Sequence, residues 1–207
     1  ELGRLRTLTD EDVATWAEYD HQRQTVAYTV GTHDEITPGV FHKLTGVLSS
    51  RGMQILGAKI HTLAENLVLD RFHVYDQDFS GEPPKERLEE VCRHLRSALS
   101  DPDDRAPRFR RVWGSGNTTD SQVSQLPTQV KFDNSTSDRF TIITVFAYDQ
   151  RGLLYAIARS LFDLNLSVHV AKIGTYLDQV VDVFYVVDGN GEKIEEEEQR
   201  QRIRETL

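Results

Sequence analysis

A single cysteine among 207 residues leaves no internal disulfide to form, and a cytosolic location is the simplest reading of that scarcity. Cys92 falls among Leu88, Val91 and Leu95 on the apolar side of an expected helix, where a buried, inert thiol outweighs a reactive one. No apolar run approaches the ~20 residues that a membrane span needs. The opening ELGRLRTLTDED lacks the apolar core of a signal peptide. A first methionine is missing as well, and Glu1 in its place reads as the start of a piece of a longer protein. Positive charge is also short. Lys and Arg number 24 against 33 Asp and Glu, a net of −9, which removes the overall attraction to phosphate on which nucleic-acid binders rely. The basic run RAPRFRR, Arg105 to Arg111, reads as a solvated linker.

What is present is an internal repeat. ITPGVFHKLTGVLSSRGMQILGAKIHT, starting at Ile36, aligns with DQRGLLYAIARSLFDLNLSVHVAKIGT, starting at Asp149. Gly39 matches Gly152, Leu44 matches Ile157, Leu48 matches Leu161, and Ala58-Lys59-Ile60 recurs as Ala171-Lys172-Ile173. After a turn one residue shorter in the second copy, Asp70-Arg71-Phe72-His73-Val74 matches Asp182-Val183-Phe184-Tyr185-Val186.

Each copy reads as strand, glycine turn, helix, two strands in a hairpin, and a second helix. The first strands are Thr25 to Gly31 and Phe140 to Tyr148. Val40, Phe41, Leu44, Val47 and Leu48, and in the second copy Leu153, Leu154, Ile157, Ala158, Leu161 and Leu164, keep helical spacing. Pro38 suits a first helical turn. The hairpins are Gln54 to Leu63 with Leu67 to Tyr75, and Ser167 to Thr175 with Val180 to Val187. Glu86 to Leu99 is an amphipathic helix. Glu195 to Leu207 is a polar one, with Glu196/Arg200 and Glu198/Arg202 placed to pair at i,i+4.

Residues 100–126 read as a long loop, which Trp113 pins to a domain surface, and Val130 to Phe132 as a short strand completing the first half. Residues 1–22 form an extension in which Asp10-Glu11-Asp12-Val13 signals a helix start and Trp16 is a packing anchor. The expected fold class is α+β: βαββαβ over residues 23–136, then βαββα over 137–207, with the helices on one face of antiparallel sheets that need a partner for their open edges.

The signatures of common catalytic sites are missing. No P-loop, GxSxG or GxGxxG stands in a suitable context, and no nucleotidyltransferase pattern is present. His33-Asp34 is a lone dipeptide at a strand end, far short of a metal phosphohydrolase signature. His61 and His73 read as a surface pair across a hairpin. Lys59 and Lys172 read as surface lysines lying over the sheet.

Asp149-Gln150-Arg151-Gly152-Leu153-Leu154, followed by the Ala-Lys-Ile strand and by Asp-x-Phe-Tyr-Val, resembles the loop signature of ACT domains. With Leu166-Ser167-Val168-His169, the second copy is similar in particular to the C-terminal ACT domain of bifunctional uridylyltransferase/uridylyl-removing enzymes. The resemblance covers roughly residues 23–207. It implies two ferredoxin-like ACT domains that sense glutamine for a parent enzyme modifying the nitrogen-regulatory signal protein. It implies Mg or Mn for the parent's catalytic domains and no cofactor or catalytic residue in this stretch. The partners it implies are a small amino acid and a second ACT domain, own or from a homodimer, with neither nucleic acid nor membrane.

ACT domains bind a small amino acid between paired copies, and the resemblance places the candidate ligand residues here. In the second copy they are Asp149, Gln150, Arg151, Gly152, Leu153, Leu154, Val170, Ala171 and Ile173. In the first they are Thr37, Pro38, Gly39, Val40, Ala58 and Ile60. The turn before each helix offers unpaired backbone amides to an α-carboxylate. Asp149 would take the ammonium, and Gln150 would position the side chain. The plainer reading is a strand-to-helix turn with Asp149 as its cap. Ile36 stands where Asp149 stands, with Asp34-Glu35 just before it, so the first copy departs from the pattern. Other readings stay open: an ACT pair from another amino-acid enzyme or a stand-alone sensor, a ferredoxin-like RNA binder, which the charge opposes, and an acylphosphatase-like enzyme, for which Arg151 alone does not supply the phosphate loop.

Overall fold

The computed structural model describes residues 13–33, 39–62, 67–101, 107, 109, 127–148, 150, 152–176 and 179–207. Its strands are β1 (Ala14–Asp20), β2 (Thr25–His33), β3 (Met53–Thr62), β4 (Leu67–Asp76), β5 (Gln129–Asp133), β6 (Thr141–Tyr148), β7 (Ser167–Lys172), β8 (Thr175–Tyr176) and β9 (Gln179–Val187). Its helices are α1 (Val40–Ser50), α2 (Lys85–Ser100), α3 (Leu153–Asp163) and α4 (Glu197–Thr206). The expected α+β class is what the chain adopts.

All the strands join one antiparallel sheet in the order β1-β2-β4-β3-β7-β9-β6-β5, with β8 beside β9. The two halves meet where β3 pairs with β7, Ala58 opposite Ala171, Gly57 opposite Lys172 and Lys59 opposite Val170. Since residues equivalent in the repeat exchange partners here, the seam has local two-fold symmetry within one chain. One row of opposed residues crosses the whole sheet: Ala17, Tyr28, Phe72, Ala58, Ala171, Phe184, Ile143 and Phe132. Facing residues share a side of the pleat, and this side carries the core. Tyr28, Phe72, Phe184 and Ile143 are fully buried, and the small alanines lie at the centre. Each buried phenylalanine stabilises by roughly 1.5–3 kcal/mol. The other side of the pleat is more polar, with Lys172 donating toward the Tyr185 hydroxyl at 3.4 Å and Lys59 exposed.

Helix α1 packs against both α2 and α3. Leu44 and Leu48 on α1, and Ile157 and Leu161 on α3, are the repeat-matched core positions, and all four are buried. Gly46 makes room for the Tyr155 ring, whose nearest atom would lie 2.9 Å from a Cβ there. On α2, Val91, Cys92, Leu95 and Leu99 are buried, and burial raises the Cys92 thiol above its ordinary pKa.

The edge strands differ from expectation. The strand at 130–132 exists as part of β5, but it pairs with β6 and not with the first half. A tight hairpin explains this: Asp133 accepts hydrogen bonds from the amides of Ser135 and Thr136 (2.7 and 3.1 Å) and from both their hydroxyls, folding β5 directly onto β6. The first half closes with β1, where a helix start had been expected. Residues 10–12 lie outside the described set, and from Ala14 the chain is strand, with Trp16 buried as its anchor. Asp20 turns β1 onto β2 by accepting from the amides of Gln22 and Arg23 at 2.9 and 3.1 Å. Asp20 and Asp133 share the repeat offset of Gly39 and Gly152, so the duplicated unit is ββαββα. These hydrogen bonds hold both carboxyls below the usual carboxylate range.

Two smaller expectations also change. His61 opposes Leu69 and His73 opposes Gly57, so the hairpin register keeps the histidines apart. On α4, Glu197 takes the arginines, Arg204 at 2.8 Å and Arg200 at 3.5 Å, in place of the pairs at Glu196 and Glu198. Trp113 and most of the long loop lie outside the described residues.

Candidate functional site

Helices α1 and α3 each start at a glycine. Gly39 has φ +76° and Gly152 φ +80°, a left-handed backbone that favours glycine, and neither helix has a side-chain cap or an acidic residue in its first turn. The first amide of α3, Leu153, donates to the Gln150 carbonyl at 3.0 Å, and the other first-turn amides of each helix, which have no intrahelical acceptor, are the donors open to an anion.

Beside the Gly39 turn, both halves enclose a cavity of about 450 Å³, within the range of small-molecule sites. The first half contributes Gly39, Val40, Phe41 and His42 from the start of α1, Ile60 from β3, and Val68 and Asp70 from β4. From the second half come Phe162 near the end of α3, the turn and strand from Asn165 to His169, and Asp188 with its neighbouring glycines. His42, buried on α1, packs its ring on Phe162 at 4.7 Å, and its Nε2 lies 3.4 Å from Arg159 Nη1.

The Gly152 turn is dressed differently. Ser49 occupies the repeat position of Phe162. A ring arrives instead from Phe109, whose Cζ lies 2.9 Å from where a Gly152 Cβ would sit and whose ring is 5.9 Å from that of Tyr155, the counterpart of His42. The repeated turns thus share backbone geometry but not surroundings.

Of the candidate ligand residues, Gly39, Val40 and Ile60 come together in the cavity. Ala58 and Ala171 face each other in the sheet centre, 3% and 2% exposed, beneath the helices. Val170 precedes Ala171 on β7 and Ile173 lies just past the end of that strand, whereas the stretch lining the cavity starts earlier, at Leu166 to His169. Gln150 is exposed and accepts the Leu153 amide at 3.0 Å, while Leu153 and Leu154 begin α3 half-buried beside Gly152. Asp149, Arg151, Thr37 and Pro38 lie outside the described residues. Sequence reasoning missed Asp70, Phe162, Asn165 and His169. Asp70 carried a signal as a carboxylate inside an apolar strand repeated as Asp182, and His169 as the last residue of the Leu166-Ser167-Val168-His169 pattern, whereas Phe162 and Asn165 carried none. Among the described residues, no group of three or more His, Cys, Asp or Glu side chains is placed to hold a metal ion. No helix there is long and apolar enough to cross a membrane.

Comparison with known proteins agrees with this architecture. A family profile described as an ACR9-like, ACT-like domain matches residues 129–207, beginning at β5. Bifunctional uridylyltransferase/uridylyl-removing enzymes align with most of the chain. The protein from Erythrobacter litoralis is 31% identical over 95% of this chain and 21% of its own length. That from Azospirillum brasilense is 32% identical over 99% and 22%, and that from Novosphingobium aromaticivorans 35% identical over 82% and 18%. The chain spans about a fifth of the length of these relatives. The second half is therefore similar to an ACT-like domain, and the chain is similar over most of its length to part of the bifunctional uridylyltransferase/uridylyl-removing enzymes.

Proposed function

We propose that this chain is an amino-acid-sensing regulatory module, with glutamine as the favoured ligand, of an enzyme that adds and removes uridylyl groups on the nitrogen-regulatory signal protein in the cytoplasm. The observation that carries the reading is the cavity at the Gly39 turn. It is small, it is shared by both halves, and it opens on uncapped helix amides that suit an α-carboxylate. Because both halves line it, occupancy ties one half to the other and changes the stability of their seam. Catalysis, with Mg or Mn, belongs in this reading to parts of the parent outside this stretch, and the module biases removal over addition when the ligand is bound.

A thermal-shift screen against the twenty amino acids tests the proposal. Specific binding to the folded state stabilises by about 2.7 kcal/mol at a hundred times Kd, so the melting temperature rises with concentration for the true ligand. Glutamine alone is the expected responder. Another amino acid would assign the module to a different amino-acid enzyme or a stand-alone sensor. No response to any of the twenty defeats the reading.

A further inference from the structure

Resting on that reading, we infer that Asp70 is the group that selects for the ligand's ammonium in the Gly39 cavity. Asp70 lies on the core-facing side of β4, in the same alternation as Phe72 and Val74, and is 1% exposed. A carboxylate on an apolar face is costly to bury without charge or hydrogen-bond compensation. The repeat nevertheless keeps one in both halves, Asp182 being likewise 1% exposed. Asp182 shows what the position does: it accepts a backbone amide, from Gly174 at 3.4 Å. In the first half the same position lines the cavity that the α1 amide turn at Gly39 also lines. A carboxylate offers about four acceptor sites when ionised, so this position has room for an N–H donor of the protein, as Asp182 takes Gly174, and for an ammonium beside it. One cavity is then lined both by helix amides and by a carboxylate, groups of opposite electrostatic polarity. That polarity fits a zwitterion held by its α-carboxylate and α-ammonium. It assigns to Asp70 the role that sequence reasoning gave to Asp149 in the other copy.

The test is calorimetric titration of the whole chain with L-glutamine and with glutaramate, which is glutamine without its α-amino group. Wild type is expected to bind glutamine at least tenfold more tightly than glutaramate. Asp70→Asn is expected to weaken glutamine at least tenfold and leave glutaramate unchanged. Asp70→Asn weakening both ligands equally would mean a structural role and would overturn the assignment, as would an unchanged affinity for glutamine. Equal affinities for the two ligands in wild type overturn it without any variant, which covers the case of a variant that does not fold. Binding of neither ligand by wild type, with no response in the amino-acid screen, sinks the sensing reading itself and is distinct from those results.

Discussion

Ala58 and Ala171 lie directly opposite each other where β3 joins β7, each the other's counterpart in the repeat. Their methyls sit at the middle of the core row, between Phe72 on one side and Phe184 on the other. A pair this small lets two rings and two helices close over the junction, and the whole sheet depends on it for continuity.

Bulk at that pair should therefore be poorly tolerated. Ala171→Leu forces extra carbons into a site 2% exposed and is expected to destabilise by about 1–3 kcal/mol. Gly57→Ala, one residue away, would bring its Cβ no nearer than 3.7 Å to the Ala171 carbonyl oxygen and should cost well under 1 kcal/mol. Urea unfolding of the two variants measures the contrast.

The Arg87 cluster gives a second expectation. Arg87 donates to Asp76 at 3.0 Å and to the Arg51 carbonyl at 2.7 Å, and the Asp76 side chain is 2% exposed. Burial pulls the Arg87 pKa down, but the hydrogen bond from Arg87 to Asp76 and the carboxylates around it outweigh burial and raise it. Arg87→Met strands the Asp76 charge and should cost about 3–5 kcal/mol, whereas Arg87→Met with Asp76→Leu should recover most of that. Thermal denaturation of the single and double variants decides.

Phe109→Ala removes the ring that covers Gly152 and Tyr155. The ring is only half-buried, so the loss should be about 1–2 kcal/mol, smaller than in a sealed core. Amide exchange in the first turns of α3 is expected to speed up more than exchange in α1, and uniform acceleration would contradict a local role.

Acid should weaken the fold through two histidines. Burial, with Arg71 next in size, depresses the His73 pKa. Burial followed by Arg51 depresses that of His94, whose Nδ1 accepts from Arg51 Nη2 at 3.0 Å, with Glu90 opposing. The unfolded chain then takes up protons before the folded one does. Their contribution is fully present above the ordinary histidine value of 6.5 and is lost as pH falls from there through the depressed folded values. His73→Gln with His94→Gln should flatten the stability profile between pH 6.5 and the onset of carboxylate titration.

The central hairpins and helices were legible because repetition doubled every weak signal. α1 and α3 follow the apolar spacing read at Leu44, Leu48, Ile157 and Leu161, and Lys85–Ser100 differs from the expected helix by one residue at each end. The edge strands were not. Five residues such as QVKFD carry a strand pattern but no address, and here the short Asp133 turn decides the partner. The acidic run before Ala14 imitates a helix cap and hid the alternation in ATWAEYD. At the cavity, the glycine turn was visible as a motif. Phe162 and Asn165 were not, because they matter through their position across the seam, which only the pairing of β3 with β7 creates.

Because β1 and β5 precede the halves they border, anyone trimming the gene has to keep them. A start near residue 23 or 137, where the first helical unit of each half invites a cut, would strip an outer ribbon and leave Thr25–His33 or Thr141–Tyr148 with an unsatisfied row of amides and carbonyls. Such a bare margin templates stacking of one molecule on the next. Insoluble product from those trims would reflect both the missing border and the core side chains it carries, Trp16 and Ala17 on β1 or Val130 and Phe132 on β5.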